Sequence, residues 1–235
     1  MSQPFIGVVP SMAGPSTATR RTVMPRLHVL TDTRRGRDPL PDVAAVLAGA
    51  AACGLPVAIQ VRAKELTDRE LLQLTVGVLE LRDAASRSGI TVIVDDRADV
   101  AVIAGADGVH LGAHDLPVDA AARLLGPDQL VGGTARSADT AQQLEAAGVA
   151  YLGVGPAFAT TTKTGLPAPL GPAGVQAVAG STRLPVIAIG GVTADHVADL
   201  VRAGAHGVAV VSAVSAAADP QAATVRLLRA LQATA

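Results

Sequence analysis

From residue 26 onward the chain repeats one pattern eight times: a short apolar run, then a stretch with helical spacing and recognisable ends. The runs are Leu27–Thr31, Val57–Val61, Thr91–Val94, Gly108–Leu111, Leu130–Gly132, Tyr151–Val154, Val186–Ile189 and Gly207–Val211. A strand followed by a helix and another strand returns the chain in the same direction, so the strands lie parallel. Eight such units close into a barrel with no free edge. The expectation is a single-domain α/β protein, a (β/α)8 TIM barrel over residues 24–235. The chain has 235 residues, close to the ~250 that this architecture uses. An open doubly wound sheet fits less well, because no dinucleotide fingerprint follows the first run.

Helix ends support the spacing. Thr67-Asp68-Arg69-Glu70 reads as a capping box opening a helix that closes near Gly89. Ser137 and Thr193 read as N-caps, Gly148 and Gly204 as stops, and Asp219-Pro220 as a cap with proline in the first turn. Gly105–Leu111 and Gly204–Val210 are near copies, each stopping a helix on Gly and entering a buried strand. They speak for quasi-symmetric units rather than for chemistry.

Composition narrows the partners. The chain is 49% hydrophobic with two Phe, one Tyr and no Trp, so Ala, Val and Leu carry the core. A net charge of −1 offers no attraction to nucleic acid or to an anionic membrane. The lone Cys53 excludes an internal disulfide, and no stretch has the length and apolarity of a membrane span. Arg20-Arg21 lacks a following apolar export region, so a cytoplasmic location is expected. Residues 1–23, rich in Ser, Thr, Pro and Gly, are expected to lack fixed structure, and Met24 is a candidate translation start. Oligomeric state is left open, a homo-oligomer included.

In a barrel of this kind chemistry sits where strands end. The second run delivers Gln60, Arg62 and Lys64, which alternation puts on one side, facing the mouth. Three polar groups leaving a buried strand need partners: an anionic ligand, or else ion pairs with Glu65 or Asp95. The third run ends in Asp95-Asp96-Arg97, and the fourth leads to Asp115. Consecutive strands are neighbours, so Asp96 and Asp115 can meet at one rim. Two hard carboxylates with few other ligands suit Mg²⁺, which keeps waters and takes phosphate oxygens. The plainer readings are an Asp96–Arg97 salt bridge and an Asp115 helix cap. His110 reads as a buried histidine donating to backbone. Thr134 follows the fifth run. After the sixth, Gly155–Gly165 carries Thr160, Thr161, Thr162 and Lys163, a pattern that fits a lid over phosphate. Gly190-Gly191 and Val211-Ser212 end the last two runs, where barrels commonly bind phosphate through backbone N–H groups.

These words together, in this order from Leu27 to Leu231, resemble the thiamine phosphate synthase family, with the thiazole tautomerase-like proteins as relatives. The words are Gln60-Val61-Arg62-Ala63-Lys64, Asp95–Asp99, Gly105–Gly112 with Asp115-Leu116-Pro117, Gly153–Pro156 with Thr160–Lys163, and Ala188–Gly191. The resemblance implies that Asp96 and Asp115 bind Mg²⁺. It implies that Gln60, Arg62, Lys64, Asp95, Thr134 and Lys163 hold an aminopyrimidine diphosphate. Thr160, Thr161, Thr162, Gly191, Val211 and Ser212 would hold a thiazole phosphate. The implied reaction joins the two and releases pyrophosphate, with Arg62, Lys64 and Lys163 stabilising the leaving group. Four positions depart from the family pattern. Ala63 replaces an acidic residue, Asp95 an Asn, Thr134 a Ser, and Arg136 a His. Arg136 is a candidate phosphate contact. An isomerase like the thiazole tautomerase, or a non-catalytic binder of phosphate ligands, are the other two readings. Retention of Asp96, Asp115 and Lys163 argues against the isomerase.

Overall fold

The computed structural model describes residues 24–85, 89–162 and 165–234. The expectation for residues 1–23 lies outside the described residues. The strands are β1 (Leu27–Leu30), β2 (Val57–Val61), β3 (Ile90–Asp95), β4 (Gly108–Leu111), β5 (Leu130–Ala135), β6 (Tyr151–Val154), β7 (Val186–Ile189) and β8 (Gly207–Val210). All neighbours run parallel, and β1 pairs with both β2 and β8, so the barrel is closed. The eight strands match the eight apolar runs, with ends differing by a few residues, most at β5.

The helices are α1 (Leu40–Cys53), α2 (Asp68–Ala84), α3 (Ala98–Ala104), α4 (Val118–Ala122), α5 (Ala138–Ala146), α6 (Gly171–Ala179), α7 (Val197–Arg202), α8 (Ser212–Ser215) and α9 (Pro220–Gln232). Thr67 and Glu70 form the reciprocal capping box that opens α2. Ser137 accepts from the Thr140 N–H, and Asp219 from the Ala222 N–H. Thr193 instead caps a short 3-10 turn, Ala194–His196, that precedes α7. Gly89 does not end α2. That helix stops at Ala84, and Gly89 takes its positive φ of 76° at the entrance to β3.

Alternation along the strands builds two cores. Residues facing out, such as Leu27, Val57, Val92, Val109, Leu152 and Val208, pack under the helices. There α1 and α9 lie together, with Gly49 of α1 against Thr224 of α9, at the seam between first and last strands. Each buried Leu or Val side chain of this layer contributes about 1.5–3 kcal/mol. Residues facing in, Leu30, Ala58, Ile93, Tyr151, Ile187 and Ala209, fill the barrel over Met24. Tyr151 fits because Gly132 stands beside it on β5; a methyl at Gly132 would overlap the tyrosine ring. Small residues against one large ring leave the upper half of the barrel open, and that opening is the site.

Candidate active site

The barrel holds a cavity of about 210 Å³ that runs from its middle layer to the C-terminal mouth. His28, Tyr151, Ile187 and Ala209 line its depth. Gln60, Arg62, Lys64, Asp95, Asp96, Asp115 and Thr134 line one side, and Gly191, Val211 and Ser212 another. Thr160 and Thr162 reach it from the β6–α6 loop, whereas Thr161 is exposed and lies off the lining. Lys163 lies outside the described residues.

The polar groups of the first side are wired to each other. Gln60 Nε2 donates to Asp95 Oδ1 at 2.6 Å, and Arg62 Nε stands 3.7 Å from Asp95 Oδ2. Lys64 forms an ion pair with Asp96. The Asp95 pairing is thus one of the two plainer readings of these side chains, while Glu65 pairs elsewhere, with Thr33. Arg97 turns away to Asp68 and Asp99, so it does not neutralise Asp96. Asp96 is held at the unusual φ of 65°, with its N–H donating to the His110 carbonyl at 2.8 Å. Asp115 does not cap α4; its Oδ2 accepts from the Gly112 N–H at 2.7 Å. Asp96 and Asp115 stand close enough for each carboxyl to shift the proton affinity of the other.

This crowding governs the protons. Burial, then the neighbouring Asp96, pushes the Asp95 carboxyl up to about 7. In protonated form it offers one donor and one acceptor, as an asparagine amide does. Asp96 is raised by burial and by its bond to Asp115. Burial works to raise Asp115 as well, but the Asp96 hydrogen bond, the Gly112 N–H and Lys64 outweigh it and hold Asp115 low. Of the two, Asp96 therefore keeps its proton to higher pH than Asp115.

Among the described residues no group of three or more His, Cys, Asp or Glu is arranged to hold a metal ion. The donor set does fit a hard cation that keeps most of its waters. Asp96 and Asp115 are neighbouring oxygen ligands at the cavity rim, and the nitrogen ligand that zinc would want is committed elsewhere. That nitrogen is on His110. Its Nδ1 lies 3.0 Å from the Tyr151 hydroxyl and its Nε2 2.9 Å from Thr134 Oγ1. The expected backbone acceptor is therefore replaced by two side chains. Desolvation pushes His110 down to about 4, so its ring is neutral and holds Thr134 at the cavity wall.

Arg136 also differs from expectation. Its guanidinium donates to the carbonyls of Gly155, at 2.7 Å, and Ala168, at 3.0 Å. It ties together the two stems of the β6–α6 loop instead of pointing at a phosphate. Gly190 and Gly191 have a second task as well. Both have positive φ, and a methyl on Gly191 would run into the Ala159 carbonyl and Phe158, so these glycines admit the loop against β7. Sequence reading missed Tyr151 and His28 in the cavity. Their signal was a polar side chain inside an otherwise apolar strand.

Residues 27–214 match a family model described as thiamine monophosphate synthase. The thiamine-phosphate synthase of Salinispora arenicola is 52% identical over 207 residues, spanning 88% of this chain and 97% of its own length. That of Chloroflexus aurantiacus is 45% identical over 208 residues, spanning 88% and 92%. The solved structure of a thiamine phosphate pyrophosphorylase from Pyrococcus furiosus superposes with a TM-score of 0.77 at 32% identity, covering 89% of this chain and 96% of that one.

Proposed function

The chain belongs to the thiamine monophosphate synthase family and is an enzyme of thiamine phosphate synthesis, and from that premise we propose how its residues divide the work. The substrates are 4-amino-2-methyl-5-pyrimidinylmethyl diphosphate and a thiazole phosphate. What supports the division is one cavity with two unlike walls. Cations and carboxylates line one wall, and glycines with a serine line the other.

On the first wall Gln60, Arg62, Lys64, Asp95 and Thr134 bind the diphosphate substrate, and Lys163 is assigned to the same substrate. Asp96 and Asp115 would hold Mg²⁺, which when bound neutralises charge on the diphosphate. Lys64, the partner of Asp96 on this wall, would meet the leaving oxygens. On the second wall Thr160, Thr162, Gly191, Val211 and Ser212 bind the monophosphate, and Thr161, exposed and off the cavity, is not part of that wall.

The bond from the pyrimidine methylene to the diphosphate oxygen breaks, and its electron pair leaves with pyrophosphate. The electron-rich aminopyrimidine carries the resulting cation. The thiazole nitrogen lone pair then forms the new C–N bond. No proton need be removed, so no residue has to act as nucleophile or base. Arg62, Lys64 and Lys163 stabilise the departing charge in a site poor in water. The β6–α6 loop, strapped by Arg136, excludes water that would capture the cation. The reaction and its residues belong to the cytoplasm.

The test is purified protein with both substrates, with and without Mg²⁺, following pyrophosphate release and product mass. Product of thiamine phosphate mass, dependent on the metal, is expected. No product at saturating substrates would overturn the reading. Proton exchange on a carboxythiazole phosphate without condensation would favour an isomerase.

A further inference from the structure

The β1–α1 loop contributes no atom to the binding of either substrate in the division above, yet three consecutive polar residues are buried there. Thr31, Asp32 and Thr33 are each 5–7% exposed. Buried polar groups are costly unless each has a partner, and all three are partnered across the barrel mouth. Thr31 Oγ1 donates to the Arg62 carbonyl and accepts from the Arg62 N–H, both at 2.8 Å. The Thr31 N–H adds a bond to the Gln60 carbonyl at 3.0 Å. Thr33 Oγ1 donates to Glu65 at 3.1 Å. On the other side, Asp32 Oδ2 accepts from Ser215 Oγ at 2.8 Å. Ser215 closes the single turn of α8, its N–H bonded to the Val211 carbonyl at 3.0 Å. Arg34 completes the set, with Nε and Nη2 each 2.7 Å from the Asp32 carboxylate.

We propose that Thr31 and Asp32 are positioning residues that set the spacing between the two walls. Thr31 holds the exit of β2 that presents Gln60 and Arg62. Asp32, through Ser215, holds the turn that presents Val211 and Ser212. The bond that forms in this reaction joins one substrate from each wall, so the reacting atoms meet only if the walls stand at the right separation. β1 lies between β2 and β8. It is the one strand that touches the exits of both. The Asp32 carboxylate is ionised throughout the working range, because Arg34 and then Ser215 hold its proton affinity far below the usual. The link therefore does not loosen with pH near neutrality.

The inference rests on the two-wall reading above, and the test keeps the two apart. Ser215→Ala removes the link to α8 while leaving Asp32 satisfied by Arg34. Thr31→Val removes both bonds to Arg62 at nearly constant volume. Steady-state kinetics should show Ser215→Ala raising the thiazole phosphate KM roughly tenfold with the diphosphate KM unmoved. Thr31→Val should do the reverse. Ser215→Thr and Thr31→Ser, which keep the hydroxyl, should restore the parent values. Arg62→Ala and Ser212→Ala serve as direct-contact controls. If these controls do not split the two KM values, the wall assignment fails. If the controls split but the bracket variants lose activity only in proportion to the folded fraction, with both KM values unmoved, the positioning role is overturned. Should Thr31→Val not fold, Thr31→Ser against Thr31→Ala gives the same comparison.

Discussion

His28 offers a prediction whose size follows from its surroundings. Its ring is wholly buried against Tyr151, and neither nitrogen makes a well-formed hydrogen bond, the Pro25 backbone offering only a partial offset to burial. Desolvation, with a smaller push from His110, brings it down to about 3. In the unfolded chain it titrates near 6.5. Below that pH the unfolded state takes up a proton that the folded state refuses, so stability falls as pH falls. Between pH 7 and 5 the loss is about 2 kcal/mol. The figure barely depends on the folded value so long as that value lies well under 5. His110, pushed to about 4, adds a loss of the same sign and similar size. Asp95, raised to about 7, acts oppositely, because its folded form keeps a proton that the unfolded form has shed. These last two nearly cancel over this window. The parent protein should therefore lose about 2 kcal/mol more between pH 7 and 5 than His28→Leu does. Urea unfolding at the two pH values measures both. Parallel losses in parent and variant would refute the claim that His28 is buried neutral.

Three further outcomes are expected. Asp96→Ala should abolish Mg²⁺-dependent turnover while Ser212→Ala chiefly raises the thiazole phosphate KM; the opposite pattern in steady-state kinetics would mean the two walls have been exchanged. Arg136→Ala loses both carbonyl contacts of the loop stems, so kcat should fall on the order of tenfold and more of the pyrimidine should be lost to water. The partition is read as the ratio of pyrimidine alcohol to thiamine phosphate, and an unchanged ratio would release Arg136 from that role. Gly191→Ala combines a φ of 64° with overlap against Ala159, so thermal unfolding should show a loss of about 1–3 kcal/mol; parent stability would mean the loop stem can withdraw freely.

The repeat of short apolar runs and capped helical stretches was enough to determine the barrel, because strand and helix periods are local and survive in a single sequence. The same reading brought Asp96 and Asp115 to one rim, since consecutive parallel strands must be neighbours. It located the β2 side chains by alternation alone. What the chain alone could not decide was which polar group answers which. Lys64 takes Asp96 while Arg97 goes to Asp68 and Asp99, and the sequence offers each of these carboxylates equally. His110 finds Tyr151 and Thr134 because closure places β4, β5 and β6 in register around a shared interior. Arg136 meets loop carbonyls that no side-chain pattern reveals. Ser215 reaches Asp32 across 183 residues only because the last strand closes on the first. Partners of that kind are set by angle and height around the barrel, and only the closed ring supplies both.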